Sequence, residues 1–210
     1  MSKSYTRLTP EEIPSVVVQT AKEEFKERGL TGTEMKTIAE KTGIGRATLY
    51  RYFSSIEPIA YLVATDYMES LTKIMKGYFD EHKNDFSDGL SLVKQMKTVQ
   101  ANSWIENTDM QKFFFQFDSL FPPPYPDTPE GEKYARSIAV QHEVDMQALK
   151  IGIEDGSIRS DIDIYSAYQT LSEALIGYIQ RGEILRHYQE TLASANFLID
   201  IFIDAIKARK

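Results

Sequence analysis

The chain has 210 residues and a formal charge of −7, from 24 Lys and Arg against 31 Asp and Glu. That length suits one large domain or two small ones, and the acidic balance repels phosphate-rich polymers, so any nucleic-acid surface has to be local. The absence of cysteine excludes disulfides, thiolate zinc sites and cysteine nucleophiles together, and no segment approaches the roughly 20 uninterrupted apolar residues of a membrane span.

Apolar residues recur every three or four positions with no stretch of strict alternation, which predicts an all-α chain of about nine helices. Thr9-Pro10-Glu11-Glu12 has the cap and first-turn proline of a helix start, and Gly29 stops that helix; Pro14, one turn inside, predicts a kinked or separate first turn. Thr33 caps a second helix to about Thr42, Gly43 supplies the stop, and a third runs from Gly45 or Arg46 to Phe53. A long helix follows from Ser55 to about His82. Further helices are expected from Ser87 to Glu106 and from Thr108 to Leu120, before Pro122, Pro123, Pro124 and Pro126 enforce a break. Thr128-Pro129-Glu130 opens a helix to about Glu154. Asp155-Gly156-Ser157 turns the chain, the next helix starts at Asp161 or Asp163 and ends near Arg186, and the last begins at Thr191.

Charge is distributed unevenly. Residues 1–55 carry nine Lys and Arg against seven Asp and Glu, whereas residues 56–210 carry fifteen against twenty-four, so only the N-terminal part suits phosphate. Within it, Ile38, Ile44, Leu49 and Phe53 can form the small core of a helix-turn-helix, Ala39 is small enough for a close crossing, and Gly43 makes the turn. The other side of the third helix offers Arg46, Ala47, Thr48, Tyr50, Arg51 and Tyr52, donors and flat rings without an acid. Arg46 suits a bidentate contact to guanine, Ala47 and Thr48 suit a thymine methyl, and the tyrosine hydroxyls suit phosphate oxygens.

Thr33, Ile38, Ala39, Gly43, Ile44, Thr48-Leu49-Tyr50, Tyr52-Phe53 and Glu57 together resemble the N-terminal DNA-binding domain of the TetR family of transcriptional regulators, over about residues 13 to 62. The resemblance implies a helix-turn-helix DNA-binding domain at 1–55 and a larger effector-binding and dimerisation domain at 56–210. It also implies a cytoplasmic homodimer, most often a repressor released from a palindromic operator by a small molecule. Thr33 and Lys36 join the third-helix residues as DNA contacts on this reading. Two positions depart from the family pattern: Gly45 stands where a serine-like cap is usual, and Ile56 where a phosphate-contacting lysine is usual.

Dimerisation is expected through the last two helices, whose Ile176, Ile179, Ile184 and Leu185 and Phe197, Leu198, Ile201, Phe202 and Ala205 give wide apolar faces. An apolar or aromatic effector is expected among Met96, Trp104, Phe114, Phe117, His142, Met146, Tyr168 and Tyr178. No cofactor and no metal are expected, because the second histidine of an HExxH site is replaced by Met146. Two other classes stay open: a helical enzyme using His142, Glu143 and Asp145 as acid and base, and an interaction module that keeps the helix-turn-helix as architecture only.

Overall fold

The structure, a computed structural model, describes residues 8–185 and 188–209, with their side chains except those of 183–185, 188 and 189. Nine helices are described: α1 Glu12–Arg28, α2 Met35–Thr42, α3 Arg46–Tyr52, α4 Ile56–His82, α5 Gly89–Glu106, α6 Thr108–Leu120, α7 Pro129–Glu154, α8 Ile164–Leu185 and α9 Tyr188–Ile206. No strand is found among the described residues, only an isolated bridge between Ile158 and Lys207.

Local chemistry explains most of the boundaries. Thr9 N–H donates to Glu12 and Thr9 O accepts from the amides of Glu12 and Ile13, so α1 starts at Glu12 rather than at Pro10. Pro14 sits in the first turn of α1 and cannot continue the bonding that Ile13 begins, so residues 10–11 form a separate turn ahead of the helix, as the proline predicts. α2 starts beyond the expected cap. Thr33 is buried and donates its hydroxyl to Gly29 O, leaving Glu34 to precede the helix. Asp88, not Ser87, caps α5 by accepting from Ser91 N–H, and Asp163 caps α8 by accepting from Ser166. α9 begins at Tyr188, ahead of the expected Thr191, and the expected α8 end at Arg186 lies outside the described residues.

The chain packs as two compact units, residues 1–67 with 112–136, and residues 68–111 with 137–210. This differs from a cut after residue 55. The first unit needs α6 and the start of α4 because the three N-terminal helices are too short to cover their own apolar side: Phe25 of α1 packs on Phe113 of α6, and Gln116 accepts from the amides of Leu30 and Thr31. In the second unit α5, α8 and α9 pack on one another. There α5 and α7 approach so closely that a Cβ on Gly89 would lie 2.2 Å from the backbone of Gly152. A side chain at Gly89 pushes the crossing apart, whereas one at Gly152 first displaces the Ile158 side chain.

Candidate DNA-reading and ligand-binding sites

The helix-turn-helix rests on a core of Val17, Ala21, Ile38, Ala39, Ile44, Leu49 and Phe53, all buried. Gly43 turns the chain between α2 and α3 at φ 71°, a left-handed conformation that a side chain rarely adopts. A buried carboxylate pins the scaffold: Glu24 of α1 has no exposed side-chain surface and pairs with Arg28 at 3.2 Å and with Lys41 of α2. The hydrogen bonds to Glu24 and Glu27 push the Lys41 ammonium above its ordinary range.

α3 divides its candidate residues between two sides. Arg46, Ala47, Tyr50 and Arg51 are exposed, Tyr50 by 52%, whereas Thr48 and Tyr52 are only half-exposed. Thr48, Arg51 and Tyr52 line a half-open hollow of about 510 Å³ with Leu8, Pro10, Ile13, Thr42 and the Gly43–Gly45 turn. Arg51 also sits 5.5 Å from the Tyr52 ring centre. Lys36 is exposed, but Thr33 is not: with its hydroxyl given to Gly29 O it acts as an internal brace, which removes it from the DNA-facing set. Sequence reasoning overlooked Glu40. Its carboxylate approaches Arg46 at 3.4 Å and Lys36 at 4.0 Å, so the guanidinium is held by an acid on α2 until a stronger partner replaces it. The α3 sequence alone has no acid, and only the crossing of α2 supplies one.

The eight expected effector residues do not share one cavity. Phe114 and Phe117 belong to the first unit, where Phe117 meets the rings of Tyr61, Phe113, Phe114, Phe121 and Tyr134 at 5.1 to 5.9 Å. That cluster is filled, since rings at this spacing leave no room for a guest. Burial, with the nearby Tyr125 and Asp118, pushes the Tyr134 phenol far above its usual range. Trp104 is buried in the second unit, its carbonyl accepting from the Gln111 amide at 2.7 Å. Tyr178 stands on the exposed side of α8. His142 and Met146 line a shallow groove of about 600 Å³ with Ala139, Glu143, Gln147, Lys150 and Tyr165.

Met96 and Tyr168 meet in the interior of the second unit, beside Val93, Lys97, Asp145 and Ala148. Met96, Tyr168 and Asp145 were singled out from the sequence, whereas Lys97 was missed. The signal was present: Lys97 falls midway between Val93 and Ala101 on the core stripe of α5, where a charge has to find internal partners. Asp145 is buried in this niche while Glu143 is exposed and His142 faces the outer groove, so the three groups of the enzyme reading do not converge. Among the described residues no group of three His, Asp or Glu is placed to hold a metal ion, and no helix is long and apolar enough to cross a membrane.

The terminal helices carry both kinds of apolar residue. Ile179 and Phe202 are buried within the subunit, which removes them from an interface, and Ile176 and Leu198 are half-buried. Phe197, Ile201 and Ala205, one turn apart on α9, are exposed, the first two by 65% and 51%. The side chains of Ile184 and Leu185 lie outside the described residues.

Residues 17–60 match the family of bacterial regulatory proteins described as the tetR family. The HTH-type transcriptional repressor KstR2 of Rhodococcus jostii strain RHA1 is 25% identical over 152 residues, covering 71% of this chain and 69% of its own. A TetR-family transcriptional regulator from Mesorhizobium loti MAFF303099 shares the fold with a TM-score of 0.70 at 16% identity, over 96% of this chain and 100% of its own. The regulator FadR of Bacillus subtilis, solved with stearoyl-CoA, superposes with a TM-score of 0.68 at 14% identity, over 91% and 98% of the two chains. Residues 17–60 thus carry a helix-turn-helix domain of the tetR family of bacterial regulatory proteins, and the nine described helices share the fold of solved TetR-family regulators.

Proposed function

We propose that this protein is a repressor that holds a palindromic operator as a homodimer and releases it when a small, largely apolar molecule binds the C-terminal part of the chain. The observation that carries the DNA half is the outward side of α3, where Arg46, Ala47 and Tyr50 stand exposed on a scaffold whose other side is fully buried. These three read base edges, while Lys36, Arg51 and Tyr52 grip phosphates. Glu40 keeps Arg46 extended and partly neutralised off DNA, and gives it up to guanine on binding.

The exposed stripe of Phe197, Ile201 and Ala205 supports pairing through α8 and α9, because apolar surface of this kind on a helix face marks an interaction site. In such a dimer, two α3 helices that enter successive major grooves of one operator stand about 34–36 Å apart. α4, which runs unbroken over 27 residues, gives residues 56–67 to the first unit and the remainder to the second. A ligand that displaces it therefore acts on the DNA-reading helices, and a 100-fold preference for the released state contributes about 2.7 kcal/mol against DNA. The stearoyl-CoA held by the Bacillus subtilis relative supports an effector with an apolar body.

Duplex DNA selected from a random pool by the purified protein tests the reading. Retained sequences should be palindromic, and about eight phosphate contacts give log K a slope near −7 against log salt. Arg46→Ala should cost about 1–3 kcal/mol, confined to one base pair of each half-site. Uniform weakening at every position would assign Arg46 to phosphate instead, and a pool that yields no enriched duplex at low salt sinks the reading. Ile201→Glu should give a folded monomer in sedimentation with reduced operator affinity; an unchanged dimer would move the interface off α9.

A further inference from the structure

Residues 1–55 hold seven acids, all glutamates, and six are accounted for within α1 or at a helix start. Glu12 accepts from Thr9 N–H, Glu23 accepts from the Gln19 amide, and Glu24 and Glu27 hold Lys41, with Arg28 also on Glu24. Glu11 and Glu34 immediately precede α1 and α2, where the N-terminal end of a helix favours an acid. Glu40 is the exception. It lies in the last turn of α2, the end where the helix dipole disfavours a carboxylate, and it follows Lys36 by four residues, the weaker order for such a pair. Its side chain is 61% exposed, and its separations from Lys36 and Arg46, 4.0 and 3.4 Å, are those of solvated pairs that add little to stability. An acid beside the two cations assigned to DNA also repels phosphate. The fold gains little from a glutamate here, and a residue that breaks local rules without structural return marks a functional position.

We propose that Glu40 reads a base: together with Arg46 it recognises one G·C pair in each half-site, Arg46 donating to the guanine and Glu40 accepting from the cytosine N4 amine. This adds a specificity-determining residue to the operator-binding reading above and rests on it. The chemistry matches group for group. In the major groove guanine presents the O6 and N7 acceptors, and its partner cytosine presents an N4–H donor beside them. O6 and N4 are hydrogen-bonded to each other and so stand about 2.9 Å apart. Arg46 Nη2 and Glu40 Oε1 stand 3.4 Å apart, so a donor and an acceptor meet an acceptor and a donor at nearly the same spacing. As the guanidinium turns to guanine, the freed carboxylate has the amine next to it, which offsets the loss of the ion pair. An A·T pair puts an amine where Arg46 needs its second acceptor.

The test uses the operator enriched by the purified full chain, remade with N4-methylcytosine opposite the guanine whose selection Arg46→Ala relaxes. The methyl group replaces the major-groove N4–H and leaves the pairing hydrogen in place. The parent should bind this duplex at least about tenfold more weakly than the unmodified operator, whereas Glu40→Ala should bind the two alike while melting as the parent does. Glu40→Gln, which keeps an acceptor oxygen, should retain part of the discrimination, a result that loss of charge alone would not give. Equal weakening of the parent and Glu40→Ala assigns the methyl clash to another residue. Tighter binding of Glu40→Ala to operator and random duplex by one common factor, with no response to the methyl group, makes Glu40 a general repellent of DNA. Either outcome overturns the proposal, as does an Arg46 position that is not guanine. A parent that enriches no duplex sinks the operator-binding reading and this one with it, whereas a parent that selects a palindrome but ignores the methyl group sinks the cytosine contact alone.

Discussion

Phe117 and Lys97 are buried to nearly the same degree, one in each compact unit, yet they leave their surroundings in opposite conditions. Around Phe117 four rings meet it edge to face and Phe113 stacks on it, so each ring's packing is met by its neighbours. Around Lys97 an ammonium, a carboxylate, an amide and a phenol share a small space, the Tyr168 hydroxyl lies against Asp145 and Ser172, and Gln141 Oε1 is left without a partner. Apolar packing is non-directional and can be completed by filling volume. Polar networks have to match donor to acceptor one by one, and an unmatched group is held only where the rest of the fold enforces it. The first cluster is therefore completed by shape alone, the second by specific polar partners brought together from α5, α7 and α8.

Three measurements break or sharpen that contrast. The largest effect is expected at the ring cluster: Phe117→Ala should lower unfolding free energy by about 3–5 kcal/mol in a denaturant titration. A loss below about 1 kcal/mol would mean the rings are loosely packed and the cavity lies there after all. Lys97 should show its burial as a pH dependence. Its native pKa is lowered to about 8 from the ordinary 10.5, so the unfolded chain holds the proton more tightly. Stability should then rise with pH from about 8 towards 10.5 relative to Lys97→Met, by on the order of 3 kcal/mol at most. Melting curves of the two proteins that stay parallel across this window would show that Lys97 is solvated. The smallest effect is at Tyr168: its hydroxyl meets Asp145 and Ser172 only in poor geometry, so Tyr168→Phe should change stability by less than about 1 kcal/mol. A loss larger than this would reveal a hydrogen bond and end the contrast.

Much of the helical framework was legible because helix boundaries are local. Gly29, Gly43 and Gly156 have positive φ where the sequence put its stops, and the breaks at Pro122–Pro126 and Asp155–Ser157 lie where prolines and turn residues placed them. The cap positions slipped by a few residues where competing side chains were adjacent. Asp88 next to Ser87 is the example, since the carboxylate is the stronger acceptor and took the role. The candidate sites were legible only in part. The exposed Arg46, Ala47 and Tyr50 follow from helical spacing within α3, but the withdrawal of Thr33 and the approach of Glu40 depend on how α1 and α2 cross it.

By itself the sequence determined the framework of nine described helices and a helix-turn-helix with its basic, acid-free third helix, because spacing, caps and turns act over a few residues along the chain. Only tertiary structure decided that Phe114 and Phe117 are filled core, that Ile179 and Phe202 turn inward while Phe197 and Ile201 do not, and that Lys97, Asp145 and Tyr168 converge. Those outcomes depend on which helix faces meet. An apolar or charged residue at helical spacing carries no record of its partner until residues distant in sequence are brought alongside it.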